Sequence, residues 1–222
     1  MFALLDAWPP VVILLVSIAI LALSCSAFWI LSRQLTTRRR RLELIHWAQS
    51  NGYHVHRYDG ARTPPVLEKS LDAPRALMTL ENEKTVIAQI ETGAAPGSGE
   101  PGRSFRWNLV VRHIAVGWPT TGLRPSSHRT SVLDFFAMTS FPSLISSARF
   151  VIFGTDTTAA VALAGSQLRG LLPADVGLLL HESHLILDFS TRPFDPLELQ
   201  RMSMLVEQIV AHLPRPTMEH RR

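Results

Sequence analysis

The chain opens on an unbroken apolar run and then changes period several times. From Ala7 to Ser32 no side chain is charged, and Val11 to Leu31 is a 21-residue stretch dominated by Val, Ile, Leu, Ala and Phe. A helix of that length spans about 30 Å, the thickness of a bilayer's hydrocarbon core, so residues 11–31 are expected to cross a membrane. Pro9 and Pro10 stand at its start, where a missing N–H is tolerated, and Trp8 and Trp29 near its ends suit the interfaces. Beyond the arginines Arg38, Arg39, Arg40 and Arg41, Leu42, Ile45 and Ala48 keep helical spacing up to Asn51-Gly52, a helix-ending pair.

Period-two patterns follow. Tyr53–Tyr58 reads as a strand, and Gly60–Pro74 as an irregular crossing in which Pro64-Pro65 prevents regular structure. Ala76–Leu80 and Lys84–Glu91 form a hairpin, the second arm alternating Val86, Ala88 and Ile90 against Thr85, Gln89 and Glu91. Phe105, Trp107, Leu109 and Val111 alternate with polar neighbours until the parity flips at Arg112-His113, which implies a bulge or a turn. Gly- and Pro-rich segments at 93–103 and 119–130 read as loops.

The second half begins with a short helix, Ser131–Met138, whose Ser131 and Asp134 match a capping box. Arg149–Phe153 is a strand leading to Asp156, the N-cap of an Ala-rich helix Thr157–Leu172. Val176–His181 and His184–Phe189 read as a hairpin, and Asp195-Pro196-Leu197-Glu198 starts a final amphipathic helix that Pro214 ends. The sum is an α+β fold: one N-terminal transmembrane helix, then an antiparallel sheet covered by two or three helices. The expected organisation is a tail and membrane helix at 1–32, a basic juxtamembrane helix at 33–52, the α+β domain at 53–214 and a tail at 215–222.

Charge changes the picture once its location is considered. The chain carries 22 basic and 18 acidic residues, net +4. Asp6 and the five arginines up to Arg41 supply all of that excess, so Leu42 to Arg222 is neutral. A neutral domain releases few counterions on a phosphate backbone, which argues against nucleic-acid binding. All the cations near the span lie on its C-terminal side, and by the positive-inside bias the domain is expected in the cytoplasm and the N-terminus outside, in a bacterial inner membrane. Arg38 to Arg41 together with Trp8 and Trp29 mark the membrane boundaries. The single cysteine, Cys25, lies in the apolar run, so no intrachain disulfide can form. A cleaved signal peptide does not fit a start that carries only Asp6 and an apolar run this long.

Candidate chemistry is thin. Gly97-Ser98-Gly99-Glu100-Pro101-Gly102 has the letters of a dinucleotide fingerprint, but a strand follows where the mechanism needs a helix N-terminus. His181-Glu182-Ser183-His184 resembles a metal box one residue short; across a hairpin turn His181 and His184 would sit side by side and offer two ligands without a third. His54 and His56 share a strand face, with His46 on the preceding helix, a second thin histidine group. Asp188, Arg192 and Asp195 cluster so that Arg192 could pair with either carboxylate. There is no nucleophile elbow, and no catalytic residue or cofactor is assigned.

Phe153-Gly154-Thr155-Asp156 before the Ala-rich helix, and Leu187-Asp188-Phe189-Ser190-Thr191-Arg192-Pro193-Phe194-Asp195 before the last helix, resemble a pattern of uncharacterised bacterial single-pass membrane proteins. That resemblance implies a layout, an anchor plus a C-terminal α+β domain, and no functional residue. The functional expectation is a membrane-tethered protein-interaction or scaffold domain, whose partners are the bilayer through residues 11–31 and a protein. The alternative is a membrane-anchored hydrolase or metal-binding enzyme using His181 and His184.

Overall fold

A computed structural model of the chain describes residues 10–57, 60–71, 73–93, 104–128, 131–136, 139–141, 144 and 149–213. The chain divides into two compact units, Met1–His46 and Trp47–Arg222. Trp8 and the Gly97–Gly102 segment lie outside the described residues.

The first helix, α1 (Pro10–Ser50), is 41 residues long without interruption. Its most apolar window has a mean hydropathy of 2.5 and none of it is buried within the chain. Leu23 and Phe28 are 71% and 74% exposed, an arrangement that water disfavours and lipid accommodates. Its few hydroxyls are turned inward: Ser26 Oγ donates to the Ala22 carbonyl at 2.8 Å and Ser32 Oγ to that of Trp29 at 2.9 Å. These two hydroxyls are thereby satisfied by the helix's own backbone. The helix ends where the sequence predicted. Gly52 takes φ +76°, Tyr53 N–H donates to the Ala48 carbonyl at 2.8 Å, and Gly52 N–H donates to that of Gln49 at 3.2 Å. These two bonds are the Schellman pattern, which needs a left-handed residue and finds it in glycine.

The second unit is built on a seven-stranded antiparallel sheet. Its elements in chain order are β1 (His54–Arg57), α2 (Pro65–Glu68), β2 (Arg75–Glu81), β3 (Thr85–Thr92), β4 (Phe105–Pro125), a 3₁₀ turn (Val132–Phe135), β5 (Thr139–Ser140), β6 (Phe150–Gly154), α3 (Thr157–Gly165), α4 (Leu168–Leu171), β7 (Gly177–Asp188) and α5 (Pro196–Ala211). The strand order is β1-β2-β3-β4-β6-β5, with β7 paired to β4 as well. β4 is the spine. Its first half pairs with β3 and its last five residues with β6, while β7 pairs with it from Leu109 to Leu123.

Two rows of side chains cross this sheet and show why both faces are covered. Leu80, Ile87, Val110 and Leu187 stand in register on four strands and all are fully buried. Thr79, Ala88, Leu109 and Asp188 form the adjacent row, on the opposite face by the pleat, and are buried too. Leu109 belongs to a core with Val66, Leu67 and Leu71 of the α2 segment and Val132, Leu133 and Phe136 of the 3₁₀ turn. α3 and α5 pack against β4 and bury Ala160, Leu163, Leu199, Met202 and Ile209. The sheet is therefore covered on two faces.

Four local expectations need correction. The 119–130 loop is strand as far as Pro125, because β4 has β6 and β7 as partners there and pairing overrides its Pro and Gly content. Pro64-Pro65 does not prevent regular structure: Pro65 occupies the first turn of α2, where its missing N–H is no loss. The Ala-rich helix stops at Gly165, since Ser166 is extended, and α4 restarts after it; Arg169 and Ser166 side chains donate to the freed Ala164 and Leu163 carbonyls. The hairpin at 176–189 is one continuous strand, β7.

Candidate functional site

The least regular place in the sheet is the middle of the β4–β7 ladder. His113 pairs with His184, and the next partners are Trp118 with Glu182. Four residues of β4 thus stand opposite the single Ser183 of β7, and a second irregularity follows between Trp118 and Thr121. The parity flip at Arg112-His113 announced this bulge in the sequence. β7 absorbs its side of the mismatch at Glu182, which sits at φ +51°, a left-handed conformation costly for a residue with a Cβ.

Three histidines gather around the irregularity, and each is engaged differently. His113 and His184 meet edge to face, ring centroids 5.8 Å apart at 89°. His181 Nδ1 lies 2.7 Å from Thr120 Oγ1, and its ring packs on Phe136 at 5.4 Å. The sequence had paired His181 with His184 across a turn. The ring neighbour of His184 is instead His113, because β7 runs straight through and both histidines face partners on β4 or behind it. Burial pushes the His184 imidazole below the ordinary histidine value, His113 and His181 push it further the same way, and Glu182 opposes them. His184 Nδ1 and Trp118 Nε1 are buried without a hydrogen-bond partner among the described residues. A neutral imidazole with an uncommitted nitrogen can accept a proton or ligate a metal, yet no group of three His, Cys, Asp or Glu able to hold a metal occurs among the described residues.

His54 and His56 are exposed on β1, opposite Glu81 and Thr79 of β2, and no three-residue ligand set forms around them among the described residues. Asp188 is 1% exposed and works as a brace: it accepts from Ser131 Oγ at 2.6 Å, from Val132 N–H at 3.3 Å and from Ser190 N–H at 3.1 Å. Ser131 in turn accepts from Leu133 N–H and completes its capping box with Asp134, as expected. Arg192 pairs with neither Asp188 nor Asp195. It forks onto Asp175, Nε to Oδ2 at 2.8 Å and Nη2 to Oδ1 at 2.6 Å, and reaches Glu198 at 2.6 Å. Asp175 lies 17 residues upstream, so no local spacing could have revealed it. The Arg192 guanidinium holds the Asp175 carboxyl below the usual carboxylate range. Asp195 caps α5 through Glu198 N–H at 2.9 Å, but the Glu198 side chain goes to Arg192, so the reciprocal half of that capping box is spent on the ion pair.

No protein-family model and no curated protein matches the chain. Among solved structures it is similar to the crystal structure of the mycobacterial trehalose monomycolate transport factor A, TtfA, with a TM-score of 0.48 and 11% identity, over 79% of this chain and 93% of that one. A likeness of that order transfers neither residues nor activity.

An open depression of about 800 Å³ lies at the end of the domain, lined by Gly52, His54, Glu81, Lys84, Arg112 and Glu207 among others. Its charges are mixed and partly matched already: Arg112 donates to Thr85 Oγ1 at 2.7 Å and pairs with Glu207 at 3.0 Å. It has the composition of a solvated surface.

Proposed function

We propose that this chain is a membrane-tethered protein-interaction or scaffold domain, anchored through residues 11–31 with its N-terminus outside and the domain of residues 53–214 in the cytoplasm. The observation that carries the reading is α1: an apolar window with no part buried in the chain, followed by arginines on its C-terminal flank alone. Tethering confines the domain to a thin layer at the bilayer, which raises its effective concentration toward other membrane-bound proteins. The domain's polar groups support a binding role over catalysis, since Asp188 and Arg192 are committed to bracing the fold.

A protein partner has a surface to meet on α5. Leu197 and Met204 are 60% and 58% exposed and lie seven residues apart, one above the other on the helix, with exposed Ala211 a further seven along. A fluorescent reporter fused after Arg222 is expected to light up, and a photo-crosslinker at position 204 to give a discrete adduct in membranes. Leu197→Glu with Met204→Glu should abolish partner binding without releasing the protein from the membrane. A reporter active only in the periplasm, or no adduct of defined mass, would count against the reading.

The uncommitted His184 nitrogen favours one alternative, a metal-binding enzyme with His113 as second ligand. Elemental analysis of the purified protein separates the two: stoichiometric metal that disappears in His113→Ala and His184→Ala would replace the scaffold reading.

A further inference from the structure

We infer that residues 33–43 of α1 form a joint, a stretch of helix that opens to coil more readily than the segments on either side and so redirects the chain that follows. The inference rests on the reading of α1 as a membrane helix and adds a moving part to it.

The helix is held by different means along its length. Up to Leu31 the run is apolar, and in lipid each broken backbone hydrogen bond leaves a donor and an acceptor with no water to take them up. From Leu44 onward packing takes over: Leu44 and Ala48 are buried, and Trp47 stacks on Tyr53 with ring centroids 5.7 Å apart. Residues 33–43 have neither support, since every one of them is exposed. A stretch of that length falls short of the roughly 12–15 residues at which a helix in water becomes even marginally stable alone, so its helicity is borrowed from the two ends.

The side chains of this stretch weaken it further. Thr36 and Thr37 are adjacent β-branched residues, and each turns its hydroxyl back on the helix: Thr36 Oγ1 donates to the Ser32 carbonyl and Thr37 Oγ1 to that of Arg33, both at 2.8 Å. A carbonyl shared with a side-chain hydroxyl holds its own backbone N–H less tightly, which slightly destabilises and bends a helix. Glu43 is the one acid among residues 33–43, and its pair with Arg39 at 2.9 Å puts the cation N-terminal, the less favourable order on a helix. Both side chains are mostly in water, 84% and 51% exposed, so the pair is screened as well. Breaking a continuous helix in its middle costs one nucleation factor of about 10⁻³, and two threonines return about threefold each, which puts the open state near roughly 1%. One opened turn redirects the chain beyond it, so a tethered domain meets membrane-bound neighbours over a wider area than a rigid stalk would allow.

Amide hydrogen exchange of the full chain in phosphatidylcholine nanodiscs, read on peptides by mass spectrometry, tests the joint. Residues 33–43 are expected to exchange about 100-fold slower than a free peptide, and residues 14–31 at least about 10⁴-fold slower. Thr36→Glu with Thr37→Ala removes both hydroxyls and both β-branches and places an acid four residues before Arg40, the favourable order. That variant should slow exchange at 33–43 by about tenfold, while Thr36→Gly with Thr37→Gly should speed it by about threefold, and neither should change residues 14–31. Equally slow exchange in the two segments overturns the joint and leaves the spanning helix standing, as does a rate at 33–43 that neither variant moves. Fast exchange at 14–31 as well as at 33–43 overturns the spanning helix, and the joint with it.

Discussion

Asp188 has almost no access to water, and four donors converge on it, two from Ser131 and Val132 and two from the backbone and hydroxyl of Ser190. The Ser190 half is local, but the Ser131 half could not be read from the chain, because Ser131 is 57 residues away. Replacing it with Ala takes the acceptor from Ser131 Oγ–H, Val132 N–H, Ser190 N–H and Ser190 Oγ–H, and a loss of about 2–4 kcal/mol is expected, read as a lower urea midpoint of the full chain in detergent at unchanged slope. Asp188→Asn restores one acceptor but turns an NH₂ toward a donor, so it should recover only part. His184 offers a pH-dependent counterpart. Its imidazole titrates below the ordinary value in the folded chain, so between about pH 6.5 and that lower midpoint the unfolded chain binds the extra proton. Stability is therefore complete above about pH 6.5 and falls as the pH is lowered. The His184 ring protons followed by NMR should show a midpoint below 6.5, and His113→Gln should raise it, while burial still holds it under the free value. A midpoint at or above 6.5 would mean that the ring is not desolvated at the bulge.

At the scale of elements, three boundaries were legible locally. The end of α1 at Asn51-Gly52, the capping box at Ser131 and the start of α5 at Asp195 are each decided by residues within one turn of the chain. β7 was not readable in the same way. Residues 177–180 and 185–188 are buried at every position, so alternation is erased, and the polar stretch between them imitates a hairpin turn. β4 shows a similar override. Its Pro-, Thr- and Gly-rich second half becomes strand because two neighbours supply hydrogen bonds, and its glycine is useful for that closeness. A Cβ on Gly122 would come within 2.5 Å of Phe153 and 2.6 Å of the Leu178 carbonyl oxygen. Gly122→Ala is thus expected to push β4 away from β6 and β7 and to lower stability by about 1–3 kcal/mol. Gly165, with no atom within 4 Å of an added Cβ, is the control, and Gly165→Ala should leave the unfolding temperature unchanged or slightly higher. Equal losses at the two positions would show that the sheet junction is looser than its geometry.

For the molecule as a whole, the proposed orientation rests on a handful of charges. The five arginines between Arg33 and Arg41 stand on one flank of the apolar run, Asp6 stands on the other, and residues 42–222 are neutral. Changing Arg38, Arg39, Arg40 and Arg41 to Ser while adding four arginines before Trp8 is expected to invert the protein, read as loss of fluorescence and gain of periplasmic reporter activity after Arg222. An unchanged orientation would assign control to the folded domain instead of the arginines. The sequence by itself determined the long apolar helix and its end at Asn51-Gly52, the α+β class and the start of α5, because these depend on length and period within a short window of chain. Only the tertiary structure decided that β4 serves as a spine for both halves, that His184 meets His113, and that Arg192 meets Asp175. Those pairings join residues 17 or more positions apart, and a one-dimensional pattern records which side chains are polar without recording which of them the folded sheet will bring together.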